Sequence, residues 1–397
     1  MINGLSESAR PAGKSSGIFR DNLMKCRKIS AIASAAVLAL SLCACSTGTG
    51  NDTGSASVSS SVPSAASSSS ESPEHGPYEI TLPGDASVTK KYASAGDLTV
   101  EPGSSVAIVA KELSLEYWKA VEEGAQQAVD EINEENGFEK EDRVTLTFDG
   151  TKGSTDVDGQ INAIDSVLAE NPTALCIAAI DMDSCQTQLE AAKENGIPVI
   201  TLDSGIESNL VTANCTTDNV AAGREAMKHL CESISDLGKI AIMTHTQSQK
   251  SAADRNQGFA EEIANHPKVE VVARLEENDE ESVETMLQAA LEVTPELDGV
   301  ICTNEGTTEQ VLKALAKFGR SDIRVVGFDL GKAQVSAIRE GREYGTVAEN
   351  PRGMGYAAVI AALRAASGES VDAQIDTGYR WIDKDTIDLQ QNEAYLY

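Results

Sequence analysis

Positive charge is scarce in this chain. Its 397 residues hold 32 Lys and Arg against 62 Asp and Glu, a formal net charge of −30. Such a surface repels phosphate backbones, which argues against nucleic acid as a partner; a well-solvated surface is the plain reading of the rest. Aromatic residues make up only 4% while hydrophobic residues reach 41%, a balance that suits α/β packing better than an all-β core. The four histidines (75, 229, 245 and 266) form no cluster. None of the eight cysteines sits in a CxxC or Cys/His pair with metal-ligand spacing, so no metal or cofactor is expected. No GxSxG elbow, Walker loop, HExxH or nucleotide fingerprint occurs in suitable context, and an enzyme is not expected. The apolar run at 29–42 is too short to span a bilayer as a mature helix.

What is present begins at the N-terminus. Lys25, Arg27 and Lys28 precede that apolar run, which ends in Leu42-Cys43-Ala44-Cys45 and then polar residues. The segment resembles a bacterial lipoprotein signal. Cys45 follows small Ala44, whereas bulky Leu42 precedes Cys43, so Cys45 is the expected lipidation site. Its acyl chains would anchor the protein to the membrane. An ordinary secretory signal is the alternative. The resulting division is a signal peptide over 1–44, with Met24 as the expected true start, and a flexible Ser/Gly-rich tether over 45–76. A lead-in over 77–104 has strand character only near 78–82. Of the five later cysteines, Cys176, Cys215 and Cys302 lie in apolar runs and read as small core hydrophobes. No disulfide is assigned.

From residue 105, apolar β-branched runs alternate with helix-length amphipathic segments. Strands are expected at 106–110, 144–148, 174–180 and 198–202, then at 239–244, 269–273, 299–303 and 324–328. In one intervening segment Trp118, Val121, Ala125, Ala128, Val129 and Ile132 recur at three- and four-residue spacing, which defines an apolar helix face. Continuous apolar strands separated by helices imply parallel sheets covered on both faces. Two such series, linked through 211–217, predict two doubly wound α/β lobes with facing crevices and a ligand cleft between them.

Several segments then resemble type 1 periplasmic binding proteins of the ribose/galactose class, which serve ABC transporters and have two Rossmann-like lobes joined by three crossovers. The stretch 116–125 (EYWKAVEEGA) is similar to that family's first helix, 197–203 (IPVITLD) to its fourth strand, and 217–223 (TDNVAAG) to the helix start after the first crossover. Arg255 with Gly258-Phe259, Thr303-Asn304-Glu305 and 325–329 (VVGFD) follow in order. The resemblance covers about 105–386. It implies an N-terminal lobe of 105–217 plus 350–377 and a C-terminal lobe of 218–349 plus 378–397.

Carried over residue by residue, the resemblance makes Tyr117 and Trp118 ring-stacking candidates, Asp203 and Asp329 hydroxyl acceptors, Arg255 a donor and Asn304 either. Asp181, at a strand tip, is a weaker candidate, and His245 ends a strand near the expected cleft. The pattern also departs from ribose-type proteins. Ser204 stands where they carry arginine, Leu115 where they carry asparagine, Asn278 where an aromatic is usual, and Glu349 in place of glutamine. These changes point to a more acidic pocket and to another sugar, a polyol, or an aminated sugar paired with Glu349. The expected protein is a monomeric, extracytoplasmic receptor that presents a small sugar-like ligand to an ABC permease. A sensory lipoprotein serving a membrane receptor or kinase, and a nucleoside-binding relative, are the alternatives.

Overall fold

The computed structural model of the chain describes residues 89–397, apart from 279. The signal, Cys45, the tether and the strand character near 78–82 lie outside the described residues.

The first series comprises β1 (Ser105–Ala110), α1 (Glu116–Asn136), β2 (Thr145–Gly150), α2 (Val157–Ala169), β3 (Ala174–Ile177), α3 (Gln186–Glu194), β4 (Val199–Leu202) and β5 (Ala213–Thr216). The chain then enters a second series. This comprises α4 (Asn219–Ser233), β6 (Gly238–Thr244), α5 (Lys250–Ile263), β7 (Val269–Glu276), α6 (Val283–Val293), β8 (Gly299–Cys302), α7 (Glu305–Phe318), β9 (Arg324–Phe328), α8 (Lys332–Glu340) and β10 (Gly345–Glu349). It returns for α9 (Pro351–Ala366) and β11 (Gln374–Asp376), and crosses a third time to β12 (Tyr379–Asp383). The sheet orders are β11-β5-β4-β3-β1-β2 and β12-β10-β9-β8-β6-β7. Every pairing is parallel except β10 with β12.

The eight expected strands all form. The link at 211–217 also contains a strand, β5, which pairs with β4 and β11 before the chain crosses. Its only fully buried residues are Ala213 and Cys215, two small side chains that leave little apolar signal. The expected run 174–180 leaves the ladder after Ile177, and Ala179 N–H turns to Ser204 O at 3.0 Å.

The face expected on α1 is buried throughout, and Gly137 ends the helix in the left-handed region at φ 65°. Helix α9 is buried nearly all round and lies on α1 at glycine. A Cβ on Gly124 would sit 1.9 Å from Arg352 O, and one on Gly355 would sit 2.0 Å from Val121 O. The second lobe repeats this device. A Cβ on Gly223 would lie 2.4 Å from Arg255 O, and one on Gly258 would lie 2.3 Å from Val220 O. These close crossings fix where the helices meet the cleft.

Two segments strap the first lobe. Tyr92, Ala95, Leu98 and Val100 pack into its core, and Tyr92 Oη donates to Asp372 at 2.6 Å. Tyr397 joins the same core, yet its hydroxyl accepts Leu330 N–H at 2.9 Å from the other lobe.

Candidate functional site

The carboxyl ends of β1, β4, β6, β8 and β9 converge on one cavity, where open α/β sheets place their ligands. Lys111 follows β1 directly. Asp203 and Asp329 follow β4 and β9, and both adopt left-handed backbone, at φ 56° and 68°. Asp tolerates that region better than most residues, at a cost of roughly 1 kcal/mol or more. The two lobes therefore present a matched pair of strained carboxylates.

Asp203 is buried and held twice. Lys111 Nζ pairs with its Oδ2 at 2.6 Å, and Tyr117 Oη donates to its Oδ1 at 3.1 Å. Lys111 Nζ also donates to Gln249 Oε1 of the other lobe at 2.6 Å and lies 5.7 Å from the Trp118 ring centre. Trp118, itself 3% exposed, lines the cavity and meets Tyr117 edge to face with centroids 5.2 Å apart.

Arg255 is fully enclosed. Its Nε donates to Asn219 Oδ1 at 2.8 Å, Nη1 donates to Thr303 O at 2.6 Å, and Nη2 pairs with Glu349 Oε2. Its guanidinium stacks 4.3 Å from the Phe328 ring centre. Three of its five N–H groups are thereby engaged, which leaves two for a ligand. Burial alone would push the Glu349 carboxyl up; the Arg255 charge and hydrogen bonds from Thr217 and Asp329 bring it below the usual value. Burial and then the Glu349 charge hold Asp329 well above the usual carboxylate range. Glu349 is thus the ionised partner of Arg255, and Asp329 is the more readily protonated of the two. Asp329 Oδ2 accepts Glu305 N–H at 2.8 Å.

Asn304 caps α7 by accepting Thr307 N–H at 2.9 Å through Oδ1, so its amide nitrogen is the group it can offer a ligand. His245 lines the cavity, with Nδ1 2.7 Å from Thr303 Oγ1 and Nε2 unpartnered. Burial, then Lys111 and Arg255, push this imidazole well below its ordinary pKa, so it is neutral. Glu305 Oε2 accepts Tyr117 N–H at 3.2 Å across the cleft, and burial pushes its carboxyl up to about 7.

The structure therefore brings Tyr117, Trp118, Asp203, Arg255, Asn304 and Asp329 to one cavity. Glu349 stands behind Arg255 and does not line it. Asp181 is also outside: its Oδ1 accepts Asp183 N–H at 2.9 Å and closes a local turn. The cation of Glu349 is Arg255 itself, and Lys111 restores positive charge beside Asp203 where Ser204 lacks it. The pocket is accordingly less acidic than the sequence departures imply. Sequence reasoning missed Lys111, Gln249, Ser251 and Ser154. Lys111 was findable, because it sits at a strand tip by the same rule that selects Asp203. Gln249 and Ser251 carry no such signal.

The innermost cavity is small, about 30 Å³, room for a water or two. It shares Leu115, Glu112, Ser154 and Asn304 with an outer chamber of about 340 Å³.

The sequence pattern of the family described as periplasmic binding protein domain matches residues 106–370. The xylitol-binding protein of Mycolicibacterium smegmatis is 25% identical over 254 residues, covering 64% of this chain and 72% of that protein. The ribose import binding protein of Escherichia coli is 25% identical over 279 residues, covering 68% and 87%. Among solved structures, a carbohydrate transporter solute binding protein from Agrobacterium radiobacter in complex with D-arabinose superposes with a TM-score of 0.67 at 27% identity, covering 74% of this chain and 99% of that one. An ABC transporter solute binding protein from Agrobacterium vitis with bound D-fucose gives 0.68 at 25% identity, covering 74% and 100%. With two largely parallel sheets joined by three crossovers, a cleft at their strand tips and this match over 106–370, the chain belongs to the periplasmic binding protein family, type 1.

Proposed function

We propose that this protein captures an uncharged sugar or polyol between its lobes, outside the cytoplasm, as the Cys45-anchored receptor of an ABC importer. Its relatives are solute-binding proteins rather than enzymes, and several are named for sugars or polyols. The observation that carries the reading is the cluster Lys111–Asp203, Arg255–Glu349 and Asp329 at opposed strand tips, with Trp118 beside it. Vicinal hydroxyls both donate and accept, which suits carboxylates, ammonium and guanidinium at close quarters. Trp118 offers a face to the C–H side of a ring. A hydrogen bond to a charged group contributes about 1.5–3 kcal/mol, so a few reach micromolar affinity.

An uncharged ligand fits because each cation already has a carboxylate partner. The ligand enters by taking over the bonds that Lys111 and Tyr117 make to Asp203 and Gln249. Contacts across the cleft, such as Tyr117 N–H to Glu305 and Lys332 Nζ to Glu116 at 2.7 Å, then hold the closed form that a permease reads.

The test is a thermal-shift screen of the full chain against monosaccharides, polyols, amino sugars and nucleosides. Ligand at one hundred times its Kd adds about 2.7 kcal/mol, a shift of a few degrees. A sugar or polyol hit that is lost in Asp203→Asn and Arg255→Met supports the assignment. Stabilisation by nucleosides alone moves the reading to nucleoside binding. A sugar hit retained by both variants overturns the site.

A further inference from the structure

We propose that the ligand is a glycoside or disaccharide, one unit of which meets the inner charge cluster while a second, uncharged polar unit fills the chamber at the cleft mouth. This rests on the sugar reading and extends it to ligand size and class.

The carrying observation is where the volume lies. The inner cavity holds about 30 Å³, whereas the outer chamber holds about 340 Å³, within the roughly 300–1,000 Å³ range of small-molecule sites. The two adjoin, since Glu112, Leu115, Ser154 and Asn304 line both. The chamber sits beyond the tips of β2 and β7, the strands at the far edge of each sheet from the crossovers. Its room does not come from parted lobes, because Tyr117 bonds Glu305 and Lys111 bonds Gln249 across the cleft in the same structure. It comes from residue size. Gly153 and Gly306 lie on opposite walls; a Cβ on Gly153 would meet nothing within 4 Å, and one on Gly306 would meet only the Asn304 amide at 3.7 and 4.0 Å.

The lining specifies the chemistry. Glu112, Glu277 and Glu309 offer acceptors for hydroxyl groups, and Gln310 Nε2 holds Glu277 Oε1 at 2.9 Å. Lys313 is the one cation in the lining, and it is bound to Glu309 at 2.9 Å. A polyhydroxylated unit suits that wall. A phosphate or uronate meets three carboxylates against one lysine and is disfavoured. Among the described residues no aromatic side chain lines the chamber, which disfavours an apolar aglycone.

The experiment titrates the purified full chain calorimetrically with matched probes: D-xylose against xylobiose, D-glucose against cellobiose and maltose, D-galactose against lactose. The same titrations are run on Gly306→Phe, which places a ring in the chamber where a Cβ has space. The expected result is that at least one disaccharide binds tenfold or more tighter than its monosaccharide, and that Gly306→Phe brings the ratio to one or below. Monosaccharide binding with no disaccharide preference overturns the inference and leaves the sugar reading standing. A preference unaltered in Gly306→Phe and in Ser154→Trp also overturns it. Absence of binding by every probe, with a cooperative melt proving the sample folded, overturns the inference, and a thermal-shift screen that also finds no other sugar or polyol overturns the sugar reading with it.

Discussion

Replacing Lys111 with methionine removes a buried cation while keeping most of its apolar stem. The pair it forms with Asp203 spans 2.6 Å, with both side chains under 10% exposed. At an effective dielectric near 20, the Coulomb attraction at that distance is about 6 kcal/mol. Taking two charges out of water costs several kcal/mol for each ion, so the pair adds little net stability. Removing one partner is different, because it strands the other charge. The K111M protein should lose about 3–5 kcal/mol at neutral pH, and D203N, which tolerates the same left-handed backbone, a similar amount. In the double variant neither charge is stranded, so its loss should fall short of the sum by about 2 kcal/mol or more. Guanidinium unfolding of the four proteins, followed by tryptophan fluorescence and far-UV circular dichroism in parallel, reads the coupling directly. Additivity within about 0.5 kcal/mol, the behaviour of independent sites, would refute the claim that Lys111 is the counter-charge of Asp203.

Other expectations concern packing, capping and pH. Gly223→Ala places a methyl 2.4 Å from Arg255 O. It should cost about 1–3 kcal/mol as an overpacked contact and also weaken ligand binding, because α5 carries Arg255; Gly153→Ala, with open space around it, is the control by melting temperature. Asn304→Asp keeps the α7 cap and should leave stability within a few tenths of a kcal/mol, yet lower ligand affinity because a donor becomes an acceptor, as calorimetry would read. Glu305 has its carboxyl raised from 4.5 to about 7, so its stabilising contribution is full below pH 4.5, declines as pH rises and is gone above 7. Glu305→Gln should therefore match the wild type near pH 5 and exceed it at pH 8 by up to roughly 3 kcal/mol; parallel thermal melts across pH 5–8 that leave the difference flat would contradict this.

The sequence by itself determined the architecture. Eight apolar runs of strand length, spaced by amphipathic segments such as the one carrying Trp118 to Ile132, have one economical solution: parallel sheets buried on both faces. The resemblance also pointed to Asp203, Arg255, Asn304 and Asp329, three of which stand at strand ends or a helix start that face the crevice whatever their partners are. Weak signals hid the rest of the fold. Strand β5 rests on two small buried residues, β11 has three residues, and β12 buries only Ile382 fully. Only the tertiary structure decided who pairs with whom. It assigned Arg255 to Glu349 across 94 residues and Lys111 to Gln249 across 138. It also moved Glu349 and Asp181 off the cavity wall. Spacing along a chain fixes which face a side chain occupies, but long-range partners are set by how two lobes close on each other. The fold's three passages between lobes set that closure, and they cannot be read from a local window of sequence.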